Sequence, residues 1–558
     1  MAFAKEWLHR CQHFHTSCSP LHNSFESDTI ILPSRLLVIG STLFDGAVRI
    51  VESANLTDES KYAVLSYCWG GPQRVYLTRS NQDSLSWGIP VNQLAKSVQD
   101  GITVCAELQI AYLWVDALCI IQDDPVDQER ELGKMAMYYE NSLVTICAAS
   151  APKSDVGFLL SNEDAHYRYD VGPFVMQFRE LERTSAYEEC TKAQVTADYY
   201  RKSDSDLQFL AGGETEMQLF RFRNNSYQNQ PISKRAWTFQ EMLLSTRMLI
   251  YASDQLYWCC RESYTGCGGS NSSERIVPVR RDCQGPQSKV CVCGISLIRE
   301  IHDLPSDIYT LGQRSGLTTD AQWDMVVENF SARDLSVEGD KLRAFAAVAS
   351  YFGMLFKARW PDVRYAAGLW YSGECPRSFC RQLLWKSEDP SQARRPVDLR
   401  APSWSWASID GRVSVFDRRM ENMFYDPPSL TVQSVRAEPT STLAPFGEVK
   451  SGLLRVCGKL RILELPLARK IALTLRQYFD TRDDYIFQQK QKHLYLLEIT
   501  PYRSQKDSPK GLILVPYSNL AGNGILVFWR VGVFSCLKEF DFAEYGFELA
   551  TKRIIDII

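Results

Sequence analysis

The sequence predicts an α/β fold, a parallel sheet flanked by helices, followed by a mainly helical region and then a β-rich C-terminal domain. Three observations predict it. Apolar runs at Tyr62–Tyr67 (YAVLSY), Ala111–Ile121 (AYLWVDALCII) and Leu143–Ala149 (LVTICAA) are short and rich in β-branched and aromatic residues, as strands buried on both faces are. Between them, Leu94, Val98, Ile102 and Cys105, then Leu132, Met135, Ala136 and Tyr139, recur at helical spacing. Beyond residue 400, short alternating runs such as Leu453–Val456, His493–Ile499 and Gly524–Trp529 are separated by Gly, Pro and Asp.

Taken in order, the first half reads strand, helix, strand, helix, strand, which calls for right-handed crossovers and covered sheet faces. The second helix carries its own start signal, Asp124 followed by Pro125. Ala151–Gln230 is polar and weakly periodic and is expected to be an insertion of loops and short elements. A helix opening at Ser233 and running to Leu244 follows, then two strand-like runs, Met248–Ala252 and Leu256–Cys260. Gly266–Gln287 is rich in Gly, Ser and Arg and reads as a loop or boundary. Helical periodicity returns from Trp323 to Phe356. The expected organisation is a Cys/His segment at 1–50, an α/β domain at 51–265 with its insertion at about 151–230, a helical middle region at 266–400 and a β-rich domain at 401–558.

With 558 residues the chain is too long for one core, and a net charge of -4 gives no general attraction to nucleic acid or to an anionic membrane. The longest apolar runs fall short of a membrane span. Met1–Arg10 has charges within its apolar part and no secretory h-region, so the expectation is a cytoplasmic protein whose 17 cysteines are reduced. Neither a P-loop nor a GxGxxG after a strand occurs, and Ser66 in LSYCWGG lacks the GxSxG elbow of serine hydrolases.

Candidate chemistry gathers where the strands end, because ligands of parallel sheets bind beyond their carboxyl ends. Those ends carry Ser66, Tyr67, Trp69 and Gly70 after the first run, and Asp116 to Gln122 on and after the second. Asp116 lies in an apolar run, where a carboxylate needs a partner, either a backbone turn or a ligand. Trp237 and Glu241 are four apart and share a helical face. One reading makes Ser233 an N-cap, Trp237 and Leu244 core anchors and Glu241 a solvated acid; the other makes Glu241 a carboxylate that stabilises developing positive charge. Near the N-terminus, Cys11, His15, Cys18 and His22 follow i, i+4, i+7, i+11 spacing, which suits a tetrahedral zinc site at Cys11, His15 and Cys18 or simple thiol packing, with Pro20 ending the helix early. A separate group, Cys259, Cys260, Cys267, Cys283, Cys291 and Cys293, shows no clear CxxC pair.

Three blocks taken together, YAVLSYCWG at Tyr62–Gly70, YLWVDALCIIQ at Tyr112–Gln122 with Met135–Tyr139 behind it, and RAWTFQE at Arg235–Glu241 followed by Leu244, Ser245 and Arg247, resemble the heterokaryon-incompatibility (HET) domain family of filamentous fungi. The flanking Trp7-Leu8 with Cys11, His15 and Cys18, the segment WDMVVENFSARDLS with Asp340-Lys341-Leu342, and Pro402–Gly411 (PSWSWASIDG) look like the flanks of large members of that family. The resemblance implies a role in non-self recognition and cell death after fusion of incompatible cells. It extends distantly to TIR domains, since YAVLSY resembles their first strand and Ser233 with Trp237-x-x-x-Glu241 is similar to their S-x-x-W-x-x-x-E-type helix.

By that analogy Glu241 is the catalytic carboxylate for cleavage of the nicotinamide–ribose bond of NAD, with no cofactor required. Trp237 packs beside it, and Ser66, Tyr67, Trp69, Gly70, Asp116, Gln122 and Arg235 contribute to the substrate pocket. The alternative implied by the same resemblance is a non-catalytic allorecognition module that acts by homotypic assembly and protein partners. A third reading, a metal-binding regulator, rests on the Cys11 group.

Overall fold

The computed structural model describes residues 1–15, 18, 32–39, 46–56, 60–159, 230–253, 256–260, 263–266, 319–415, 428–442, 444–464, 475–500, 509–517, 525–536, 547, 550–558 and four short strands between 168 and 217. The chain forms two units, Met1–Asp303 and Leu304–Ile558.

The first unit is built on a nine-stranded sheet. Its strands are β1 (Arg35–Val38), β2 (Ala47–Glu52), β3 (Tyr62–Ser66), β4 (Ile89–Pro90), β5 (Tyr112–Trp114), β6 (Val144–Cys147), β7 (Arg247–Tyr251), β8 (Leu256–Cys260) and β9 (Tyr264–Gly266), in the order β9-β8-β7-β6-β3-β5-β1-β2-β4. The expected parallel sheet is its centre: β3 pairs parallel with β5 and with β6, and β6 with β7. The whole sheet is mixed, because every pairing outward from β5 and from β7 is antiparallel.

Every residue of β3, β6 and β7 is buried, which is why their sequences read as continuous apolar runs rather than alternating ones. Helix α1 (Ala2–Phe14) opens the unit, and α2 (Gln82–Trp87) and α3 (Lys96–Leu108) lie between β3 and β5; α3 buries Val98, Ile102 and Cys105 as the spacing predicts. The run Ala111–Ile121 differs from expectation. It forms the short β5 and then turns into α4 (Asp116–Cys119), where the Asp116 carboxylate accepts the Ala117 N–H at 2.7 Å and diverts the chain from strand to helix.

Helix α5 (Pro125–Asn141) starts at the Asp124 cap, which accepts from Val126 N at 3.0 Å and Asp127 N at 3.3 Å. Its first turn is fixed to β1 by buried Asp127, which accepts from the Arg35 guanidinium and from Ile121 N at 2.8 Å. Arg35 also donates to Cys119 O at 2.9 Å, so one ion pair ties β1, α4 and α5 together.

In the second unit, α7 (Thr319–Ser331) and α8 (Ala346–Arg359) meet around Trp323, whose ring lies 5.2 to 5.7 Å from those of Phe345, Phe352 and Trp370. The PSWSWAS segment is buried here, with Trp406 Nε1 donating to Gly368 O at 2.8 Å and Trp385 Nε1 to Trp404 O at 2.9 Å. The expected β-rich region is a seven-stranded sheet in which the long strand Val449–Glu464 pairs with both His493–Thr500 and Thr551–Ile557. Through Lys510–Pro516 and Leu526–Cys536 those pairings close into a ring. Among the described residues no helix is long and apolar enough to cross a membrane.

Replacing Asp127 with alanine strands the Arg35 guanidinium in the core and is expected to cost about 3–5 kcal/mol, read as a lowered urea midpoint. An unchanged midpoint would show that Arg35 finds another partner.

Candidate functional site

Helix α6 (Trp237–Leu244) places the site. The spacing opens it at Ser233, but Pro231–Lys234 is a separate 3₁₀ turn, Ser233 Oγ donates back to Gln230 O at 2.7 Å, and the N-cap of α6 is Ala236. The reading of Glu241 as a solvated acid is also overturned. Seven of the eight α6 residues are buried, and Glu241 is 7 % exposed.

A buried carboxylate needs donors, and Glu241 Oε2 accepts one from Ser66 Oγ at 2.5 Å. Ser66 is the last residue of β3, so the helix and the strand end are joined through this bond. The α6 end is also anchored: Ser245 Oγ donates to Glu241 O at 2.6 Å and lies 2.7 Å from Thr145 Oγ of β6.

Asp116 stands at the end of β5, next to β3. Its Oδ2 accepts from Trp69 Nε1 at 2.8 Å, which draws the loop after β3 over the neighbouring strand end. Arg235, just before α6, donates to Tyr67 O at 2.8 Å and is the positive charge that acts on both Asp116 and Glu241. The loop reaches this position through Gly70, at φ 66°, where a Cβ would sit 2.8 Å from Lys153 Cα.

The electrostatics follow from burial. Desolvation pushes Glu241 up to about 7, and the nearby Asp116 charge adds to the rise; the Ser66 hydrogen bond, Arg235 and the Tyr139 hydroxyl act against it. Asp116 is also raised, first by desolvation, against the opposing effects of Trp69 and the Ala117 N–H. Tyr67 and Tyr139 are pushed well above the usual tyrosine range, again by burial first. The Tyr67 hydroxyl is buried beside Asp116, and the two groups interact.

The structure thus brings Ser66, Tyr67, Trp69, Asp116, Arg235 and Glu241 together. Trp237 is half-buried one turn before Glu241. Gln122 is used differently, since its amide donates to Asp116 O at 3.1 Å and Ile120 O at 3.0 Å and so holds the α4 turn. The sequence reading did not include Tyr139 among the site residues. Its position on the apolar stripe of α5 marks it only as core.

The match to known proteins coincides with this geometry. Residues 62–241 match the family model described as heterokaryon incompatibility protein (HET). This segment is a HET domain. No curated protein and no solved structure matches the chain. The HET match opens on the first residue of β3 and ends on Glu241, so the matched segment holds both the carboxylate and the strand that binds it.

Two measurements check the physical picture. Glu241 rises from an ordinary 4.5 to about 7, so the folded HET domain retains a proton that the unfolded chain loses over that interval. Its stabilising contribution is therefore full below pH 4.5 and is lost as pH rises through 7, by up to about 3 kcal/mol. Urea unfolding of wild type should weaken by that much more than Glu241→Gln between the two ends of the window, and parallel curves would refute the shift. Gly70→Ala forces a side chain into the left-handed region against Lys153 and should cost about 1–3 kcal/mol in the same assay.

Proposed function

We propose that the HET domain cleaves the nicotinamide–ribose bond of NAD with Glu241 as its carboxylate, as the effector step of a heterokaryon-incompatibility response in non-self recognition and cell death. The domain match supports the incompatibility-type role. The observation that carries the chemistry is a buried carboxylate, hydrogen-bonded to the last residue of β3 and set beside a second carboxyl group at the next strand end.

In this reading the C–N bond breaks with its electron pair leaving on neutral nicotinamide. Positive charge develops on the ribose, and ionised Glu241 stabilises it. Water then adds at the ribose carbon and releases a proton. The Ser66 hydroxyl fixes the Glu241 rotamer, while Arg235 offsets the excess negative charge when no substrate is present. The Tyr67 hydroxyl and the Asp116 carboxyl, both at the strand ends, supply hydrogen-bonding capacity for ribose hydroxyls. Trp69 and Trp237, both partly exposed, offer flat apolar surface to the nicotinamide ring.

The competing reading, a HET domain that signals by homotypic assembly without catalysis, draws on the completeness of the Glu241–Ser66 bond, which also suits a purely structural buried pair. Purified protein incubated with NAD separates the two. Wild type should release nicotinamide, with a rate that rises through about pH 7 as Glu241 ionises. Glu241→Gln, which is isosteric and keeps a partner for Ser66, should fold and release at least about 100-fold less. Equal, negligible release from both proteins under conditions that promote self-association would leave the assembly reading standing.

A further inference from the structure

The first unit contains a group of side chains that the NAD chemistry does not use. Cys11 on α1, His15 at its end, Cys18 beyond it and Cys260 on β8 place their ligand atoms within 4.8 Å of one another. The sequence grouped the first three but assigned Cys260, 245 positions from His15, to a different cluster. His22 and the cysteines at 267, 283, 291 and 293 lie outside the described residues. We propose that Cys11, His15, Cys18 and Cys260 form a structural zinc site of the three-cysteine, one-histidine type.

The geometry fits that ion. Zinc bonds of about 2.3 Å to sulfur and about 2.0 Å to nitrogen, arranged tetrahedrally, put ligand atoms roughly 3.5–3.8 Å apart. His15 Nδ1 lies 3.3 Å from Cys260 Sγ and 4.0 Å from Cys18 Sγ, on either side of that spacing. The three cysteines are buried and form no disulfide, so the donors are soft and shielded from water.

Hydrogen-bond donors reach two of the three sulfurs. Arg247 Nε donates to Cys11 Sγ at 3.3 Å, and its other arm donates to Cys18 O. Ser263 N donates to Cys260 Sγ at 3.3 Å, with Ser263 Oγ also 3.3 Å away. N–H groups aimed at sulfur stabilise metal-bound thiolates. Charge closes as well: one Zn²⁺ and three thiolates leave one negative charge, which buried Arg247 balances. Binding releases the three thiol protons to solvent and requires no oxidant. Arg247 stands opposite Cys260 in the β7–β8 ladder, and its guanidinium holds Cys11 and the Cys18 carbonyl.

Elemental analysis of the full chain, purified without chelator, should give about one zinc per molecule. Cobalt exchanged into the site should show the visible bands of tetrahedral thiolate coordination. Cys18→Ser and Cys260→Ser should lose the metal, whereas His15→Cys, which preserves four donors, should keep it. A chelator should lower the Tm of wild type. Should the serine variants fail to fold, His15→Cys and the cobalt spectrum decide the matter. Metal content near zero, an octahedral cobalt spectrum, or a disulfide between Cys11 and Cys18 found by mass spectrometry would overturn the assignment.

Discussion

Burying the Glu241 carboxyl group at the end of a parallel strand is the constraint around which the first unit is arranged. A carboxyl removed from water must be given donors or must keep its proton, and here both happen in part. Ser66 supplies a hydrogen bond, Arg235 supplies charge, and the raised pKa records what those two leave uncompensated. Each supplier then fixes a piece of backbone. Ser66 has to end β3, Arg235 has to precede α6 within reach of Tyr67 O, and Trp69 has to fold back onto Asp116. That return path passes through a left-handed residue pressed against Lys153, and only glycine takes it without strain.

Part of this arrangement was legible in the sequence. Strands β3 and β6, buried on both faces, announce themselves as continuous apolar runs, and Asp124-Pro125 marks the start of α5. Where reading failed, the reason was local hydrogen bonding that hydrophobicity does not report. Ala111–Ile121 looks like one long strand because its apolar content is uninterrupted; the Asp116 side chain, capturing the next N–H, is what turns the chain. Ser233 has the chemistry of a cap yet spends its hydroxyl on the preceding turn. The sequence leaves Glu241 open between a solvated acid and a functional carboxylate because helical spacing gives faces without saying what covers them. Cys260 falls in a separate cysteine group by sequence, since its distance along the chain from His15 does not show that α1 packs against β8.

The second unit shows how far perturbed ionisation can be read as a sign of function. Arg530 and Asp480 form a fully buried ion pair at 3.0 Å, Asp480 is raised by desolvation, and burial lowers Arg530 to about 10. Arg530 also donates to Leu383 O at 2.8 Å and lies 3.5 Å from the Trp385 ring centroid. Lys341, lowered to about 7 by desolvation, donates to Ile409 O beside the Trp406 ring. These groups are spent on holding backbone together, as structural ion pairs are. In the cluster at the end of β3 the raised carboxyl group is held by a side-chain hydroxyl and stands beside a second carboxyl group at the neighbouring strand end.

The order of elements has one more consequence. Ser66 and Asp116 precede the polar stretch that follows Leu159, and Arg235 and Glu241 come after it, so the site is assembled from two chain segments that meet only by folding. They are held by the parallel ladder of Thr145, Ile146 and Cys147 against Met248, Leu249 and Ile250, by the Thr145–Ser245 contact and by the Ser66–Glu241 bond. Those contacts, together with the Arg235–Tyr67 bond, are what bring the later half of the site onto the earlier one.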